Sequence, residues 1–226
     1  MLRTLALASF FLALISGVTF ATVLLSSGPP ASRTGAPATG GLPAESDCSG
    51  CHARLDEHGN PLPNVNLPGG AVEILGLPAT YIPGQTYPLT VRLWSDSTVA
   101  DVGRKWGFEL TAFRVSDGLG TGSFVVTAAD LQTKPGLAGG PFASRTYVEH
   151  RSAGTRTGLL GPVTWDFQWQ APASTQGDVR FCVAGNAADG VGTPDNDNIY
   201  TSSVLVRADA TPAASTTWGS LKRHFR

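Results

Sequence analysis

Val163-Thr164-Trp165-Asp166-Phe167-Gln168-Trp169-Gln170 alternates apolar and polar residues without a break. Successive side chains of an extended strand point to opposite faces, so Trp165, Phe167 and Trp169 share one face while Thr164, Asp166 and Gln168 meet water. A strand that buries three aromatics on one side needs a second layer to receive them. Asp178 to Ala184 repeats the pattern, with Val179, Phe181 and Val183 on one face. Working outward, the same half-buried period predicts strands at Ala71–Leu77, Thr86–Trp94, Gly107–Val115, Ser123–Ala128, Arg145–Arg151 and Ile199–Arg207. Gly, Pro, Asp and Asn punctuate the runs as turn residues. About eight short strands in one chain read as an all-β, two-sheet antiparallel sandwich of immunoglobulin-like type.

Composition agrees. The 226 residues include 27 Gly, 16 Pro and a single Met, and 15% are charged, which favours strands and turns over long amphipathic helices. Lys plus Arg number 16 against 17 Asp plus Glu, so no basic field exists to neutralise phosphates, and nucleic acid is not expected as a partner. No Ser/His/Asp order, nucleophile elbow or phosphate loop is present, so no enzymatic role is expected.

Four regions follow. Residues 1–27 begin Met-Leu-Arg and continue in an apolar run from Leu5 to Leu25, the form of an export signal, either cleaved after Ala21 or kept as a membrane anchor. Residues 28–47 are rich in Gly, Ala and Pro, a linker or an extended strap lying on the domain. Residues 48–208 hold the sandwich, and 209–226 form a short tail in which Trp218, Leu221 and Phe225 would share a side flanked by Lys222, Arg223 and Arg226, suited to an anionic membrane surface. The expected location is periplasmic or extracellular.

Cys48-Ser49-Gly50-Cys51-His52 carries the chemistry. In Cys-x-x-Cys-His, two thiols add to the porphyrin vinyl groups and the adjacent imidazole is held under the iron, a c-type haem site. With 3 Cys and 4 His in the chain, a chance match is expected about once in a thousand such sequences. Competing readings are a tight disulfide, a redox-active pair, or zinc with Cys182, His58 or Asp56 as a fourth ligand. The redox pair requires a helix starting at the first cysteine, which the Gly/Pro-rich approach to Asp47 does not suggest.

Met1 lies in the leader, so a sixth iron ligand from the chain would be histidine. His58 lies six residues from His52, too close to reach the opposite haem face, and His224 lies in the tail. His150 falls in a strand whose alternation puts it on one face with Val148 and opposes Tyr147 and Glu149. Ligation by His52 and His150 would leave no vacant position, which favours electron transfer over oxygen chemistry. Cys182 faces away from Phe181 and Val183, as a sheltered free thiol would. The oxygen-rich loop 186–198 lacks the ligand spacing of an EF-hand, and Asx turns between strands explain it equally.

The sequence also resembles secreted bacterial proteins with a reelin-like β-sandwich, described as choice-of-anchor proteins. The resemblance spans nearly the whole chain. It is carried by Ser27-Gly-Pro-Pro, Arg33-Thr-Gly-Ala-Pro, the Cys48–His52 motif, Leu77-Pro, Tyr81-x-Pro-Gly-Gln-Thr-Tyr87, Trp106-Gly-Phe-Glu-Leu-Thr-Ala112, Tyr147-Val-Glu-His150, Trp165-x-Phe and Ala184-Gly-Asn-Ala-Ala188. It implies one covalent haem c on Cys48 and Cys51, iron ligation by His52 and by a histidine at the place of His150, and single-electron exchange with a redox partner protein. Cys182 departs from it, standing where an aromatic residue is expected, and no sorting domain follows the sandwich. The alternative is an extracellular adhesive or ligand-binding module in which Cys48 and Cys51 staple a loop or hold a metal.

Overall fold

A computed structural model describes residues 27–96, 104–190 and 196–209. The leader expected over most of 1–27 and the basic tail with His224 lie outside the described residues. Among the described residues no helix is long and apolar enough to cross a membrane, and the helical pieces are two three-residue 3-10 turns, Cys48–Gly50 and Ser152–Gly154.

In chain order the strands are β1 (Arg54–Leu55), β2 (Pro61–Leu62), β3 (Gly70–Leu75), β4 (Thr80–Tyr81), β5 (Thr86–Ser95), β6 (Lys105–Arg114), β7 (Ser123–Val125), β8 (Leu131–Pro135), β9 (Thr146–His150), β10 (Val163–Gln170), β11 (Val179–Ala188) and β12 (Asn198–Ala208). One sheet has the order β3-β5-β10-β7 and the other β4-β12-β11-β6-β9-β8, with β1 and β2 a separate hairpin. The architecture is an all-β, two-sheet sandwich, and every pairing within the two sheets is antiparallel except β4 with β12. All eight expected strands are present. The added ones are either two residues long or, in β8, end in Lys134-Pro135 with little apolar alternation.

The core is built as the alternation in β10 requires. Trp165, Phe167 and Trp169 point inward with Leu89, Val91 and Leu93 of β5 and meet Phe108, Leu110, Phe181 and Val183 from the other sheet. Trp165 packs on Phe108 with ring centroids 4.7 Å apart, and Trp169 sits edge-on to Phe181 at 4.9 Å. Such pairs add about 1 kcal/mol each to the area they bury. The buried indoles keep their N–H groups paired, Trp165 donating to the Gly154 carbonyl at 2.8 Å.

In one respect the half-buried reading is corrected. β10 alternates buried and exposed, but β6, β9 and β11 are buried on both faces. Their outer side is covered by residues 28–47, which do not act as a free linker. Ala36 is buried against Phe113 and Cys182, the Arg33 N–H donates to Glu109, and Glu45 lies under the sheet's Arg145 and Tyr147. The polar residues of these strands therefore face a second layer of chain and bond to it.

Candidate functional site

The strap ends at Asp47, whose carboxylate accepts from the Ser49 N–H at 2.8 Å and caps a 3-10 turn over Cys48–Gly50. A helical start at the first cysteine therefore exists, although for one turn only. The N–H groups of Cys51 and His52 both donate to the Cys48 carbonyl, closing the Cys-x-x-Cys-His segment on itself.

That turn lies on the outer face of β11 and its neighbours. Cys48 is buried against Ala184 and Ile199, with Sγ 4.0 Å from the Arg33 carbonyl, whereas Cys51 is exposed. Burial, with Glu109 and Asp47 nearby, pushes the Cys48 thiol far above its ordinary range, so it stays protonated at neutral pH. All three cysteines are free. Cys182 fills the cluster with Ala36 and Phe113 as a sheltered thiol, and burial raises it to about 12. In chain made without haem, a thiol alkylating reagent should modify Cys51 alone under native conditions and all three cysteines after denaturation without reductant. In that haem-free chain, failure of Cys48 and Cys51 to react after denaturation unless reductant is added would establish a disulfide in their place.

Two turns of the strand ladder position the imidazoles. In register, Asn186 of β11 faces Gly107 of β6 on one side and Ile199 of β12 on the other. His52 lies at Asn186: its Nδ1 is 2.5 Å from Asp197 Oδ2 and 3.0 Å from Asn186 Nδ2. His150 stands at Gly107. A Cβ built on Gly107 would come 2.5 Å from His150 Cε1, 2.9 Å from Nε2 and 3.0 Å from Nδ1, so the imidazole occupies the space a side chain would take. Strand glycines often mark such a close approach. His52 and His150 thus flank a single cross-strand pair.

His150 Nδ1 lies 3.1 Å from the Phe108 N–H and 3.2 Å from the Phe108 carbonyl. In the tautomer that donates to the carbonyl, Nε2 carries the lone pair. Burial pushes the ring down to about 4, against the bond to Phe108, and the charges of His52 and Lys134 add to the fall, so His150 is neutral at physiological pH, the form that binds metals. Val148 enters the core while Tyr147 and Glu149 face the strap as expected, but His150 departs from the expected alternation: its ring lies at the Cβ position of Gly107, on the side of β6 opposite the core residues Trp106 and Phe108. His58 is not brought to this place; it stands exposed on the β1–β2 hairpin, 3.8 Å from Glu57.

Beside the imidazoles, Glu109 and Glu149 face each other across β6 and β9, both buried. Glu149 receives Lys134 and Gln132, each at 2.6 Å, while Glu109 has the Arg33 N–H and, among the described residues, no Lys or Arg nitrogen within 4.0 Å. Burial raises Glu109 well above the carboxylate range, and burial also raises Glu149 despite its lysine. Burial and the neighbouring carboxylate favour the protonated form of Glu109, while Lys134 and Gln132 act the other way on Glu149.

The donor set fits a haem held by Cys48, Cys51, His52 and His150. Two free thiols precede a histidine whose Nε2 has no protein partner among the described residues, a second imidazole, kept neutral by burial, stands at a side-chain-free position, and the buried Asn186 Oδ1 beside them has no hydrogen-bond partner. It does not fit zinc, since among the described residues no three of His, Cys, Asp and Glu gather closely enough for a metal ion. The described ends of the 186–198 segment, Asn186 and Asp197, turn toward His52. Sequence reasoning missed Gly107, Asn186 and Asp197. A polar Asn within the apolar run Val183–Ala188, and a Gly within Trp106–Phe108, were the signals available.

No family model matches the chain, and no curated protein matches its sequence. Among solved structures, the reelin-N domain of F-spondin is similar over 62% of this chain and 86% of its own, at 17% identity and a TM-score of 0.37. The human F-spondin reeler domain is similar over 64% and 94%, at 17% identity and a TM-score of 0.39. A cohesin module from a Clostridium perfringens family 33 glycoside hydrolase is similar over 62% and 96%, at 11% identity and a TM-score of 0.37. The sandwich itself stands on its strand pairing.

Proposed function

We propose that the protein is an exported, monohaem c-type cytochrome-like protein on a reelin-like sandwich, which binds one haem c covalently and transfers single electrons. The observation that carries this reading is the placement of the Cys48–His52 turn on the sheet with a second imidazole, His150, across the Asn186–Gly107 pair. Cys48 and Cys51 would hold the porphyrin, and His52 and His150 the iron. The group supplies a one-electron ferric/ferrous couple. The chain's own part is to present the two imidazoles and to cover the site with strap residues.

Cys48 is packed under the strap, so thioether formation must precede closure of the turn onto Ala184 and Ile199. That order suits attachment to an unfolded chain after export. The partner is a redox protein outside the cytoplasm, and membrane association would come through the apolar leader or the basic tail.

The full chain, produced with and without a c-type maturation system, provides the test. Haem staining of the denatured protein and intact mass should show one covalently added haem in the first case only. A colourless product of unmodified mass from the maturation-competent host would overturn the reading in favour of an adhesive module.

A further inference from the structure

We infer that Asp197 is a positioning residue for His52: it holds the ring by Nδ1–H, so that the lone pair sits on Nε2 and the imidazole is a strongly basic ligand. The inference rests on the proposed haem site for its redox consequence, but its tautomer consequence is independent of haem.

Asp197 is 1% exposed, and among the described residues no Lys or Arg nitrogen lies within 4.0 Å of it. A buried carboxylate without a cation is expensive unless its oxygens are bonded. Its bonds converge on one object. Oδ1 accepts from the Asp189 N–H at 3.2 Å, and Oδ2 accepts from Asn186 Nδ2 at 3.2 Å and faces His52 Nδ1 at 2.5 Å. Asn64 closes the frame, its Nδ2 donating to the His52 carbonyl at 2.9 Å and to the Asp197 carbonyl at 3.1 Å. One side-chain amide thus ties the backbones of both partners, so the ring and the carboxylate have little freedom to separate. Asn196, with φ of 63°, turns the chain immediately before Asp197.

With the Asp197 carboxylate as acceptor at 2.5 Å, Nδ1 carries the proton, since a bare Nδ1 would set its lone pair against the carboxylate; the Asn186 amide 3.0 Å from the same nitrogen then donates to Asp197 Oδ2 at 3.2 Å. An imidazole bonded in this way is a better electron donor, and outer partners of metal-bound histidines tune the metal through that bond. A more basic ligand stabilises ferric over ferrous iron, so Asp197 would hold the potential down.

Asp197→Asn keeps the side-chain size and the acceptor for the Asp189 N–H, but offers an amide donor to Nδ1. In the full chain made without haem, long-range proton–nitrogen NMR on the neutral His52 ring should show Nδ1–H in wild type and a shift toward Nε2–H in Asp197→Asn. In the haem-loaded chain the midpoint potential should move positive in Asp197→Asn and return toward wild type in Asp197→Glu. A carboxylate that only staples the loop would lower the melting temperature and leave tautomer and potential unchanged, which overturns the inference, as does Nε2–H in wild type. Should Asp197→Asn not fold, the wild-type tautomer alone decides. Should no haem attach, the cytochrome reading fails while the tautomer arm still judges Asp197.

Discussion

Arg145→Ala should remove about 3–5 kcal/mol of stability, the range for breaking a buried ion pair. For a domain of this size that corresponds to a fall in melting temperature on the order of 10 °C. Arg145 is fully buried on the outer face of the six-stranded sheet. Its Nη1 donates to Glu45 Oε1 at 2.7 Å and its Nε to the Gly118 carbonyl at 3.0 Å, while its guanidinium lies 3.9 Å from the Phe113 ring centre and 4.8 Å from that of Phe142. Glu45 in turn accepts from the Tyr147 hydroxyl at 2.6 Å and from Thr34 Oγ1 at 2.5 Å. Removing the cation leaves the Glu45 carboxylate buried beside a tyrosine, with only neutral donors.

The consequence is local first. Thr34 and Glu45 belong to the strap, which also covers Cys182 and borders Cys48 through Arg33. Thermal melts of Arg145→Ala, Glu45→Ala and the double variant should show strong non-additivity, the double variant losing little more than Arg145→Ala, because each single change strands the other's charge. Limited proteolysis should cut within residues 28–47 in the single variants. A loss below about 1 kcal/mol would mean that the strap is held by its apolar contacts and the pair is incidental.

The two-sheet sandwich was legible because its strands carry their own evidence: the alternation of Trp165, Phe167 and Trp169 states which face is buried without reference to any other residue. The strap's role was not legible. Glu45 and Arg145 are a hundred residues apart, and within a strand Glu109, Arg145 and Glu149 look like a solvated face until a second layer is known to cover them. The same asymmetry holds at the candidate site. Cys48, Cys51 and His52 are contiguous, and their spacing carries meaning. Asp197 comes to His52 from the far end of the chain, and Gly107 matters for what it lacks. Cross-strand partners are fixed by register, which one sequence does not display.

Gly107→Val should be the most damaging single change at the proposed haem site that alters neither a ligand nor a cysteine. The clash is specific. A Cβ at 107 would stand 2.5 Å from His150 Cε1, closer than real side-chain contacts allow, and valine adds two methyl groups beyond it. The ring has little room to retreat, because Nδ1 is held at Phe108 and the residue is buried. The side chain at 107 therefore displaces His150 or the strands move. Either response costs about 1–3 kcal/mol in the haem-free chain, the usual penalty for overpacking. In the haem-loaded chain, losing His150 from the iron should convert a low-spin spectrum to a high-spin or mixed one, with a vacant position that binds carbon monoxide or cyanide. The double variant Gly107→Val/His150→Ala separates packing from ligation. Deleting the imidazole makes room for valine, so its melting temperature should lie above that of Gly107→Val, whereas its spectrum should stay high-spin. A low-spin spectrum in both variants would remove His150 from the iron, and a double variant less stable than either single one would show that the ring and the glycine do not share that space.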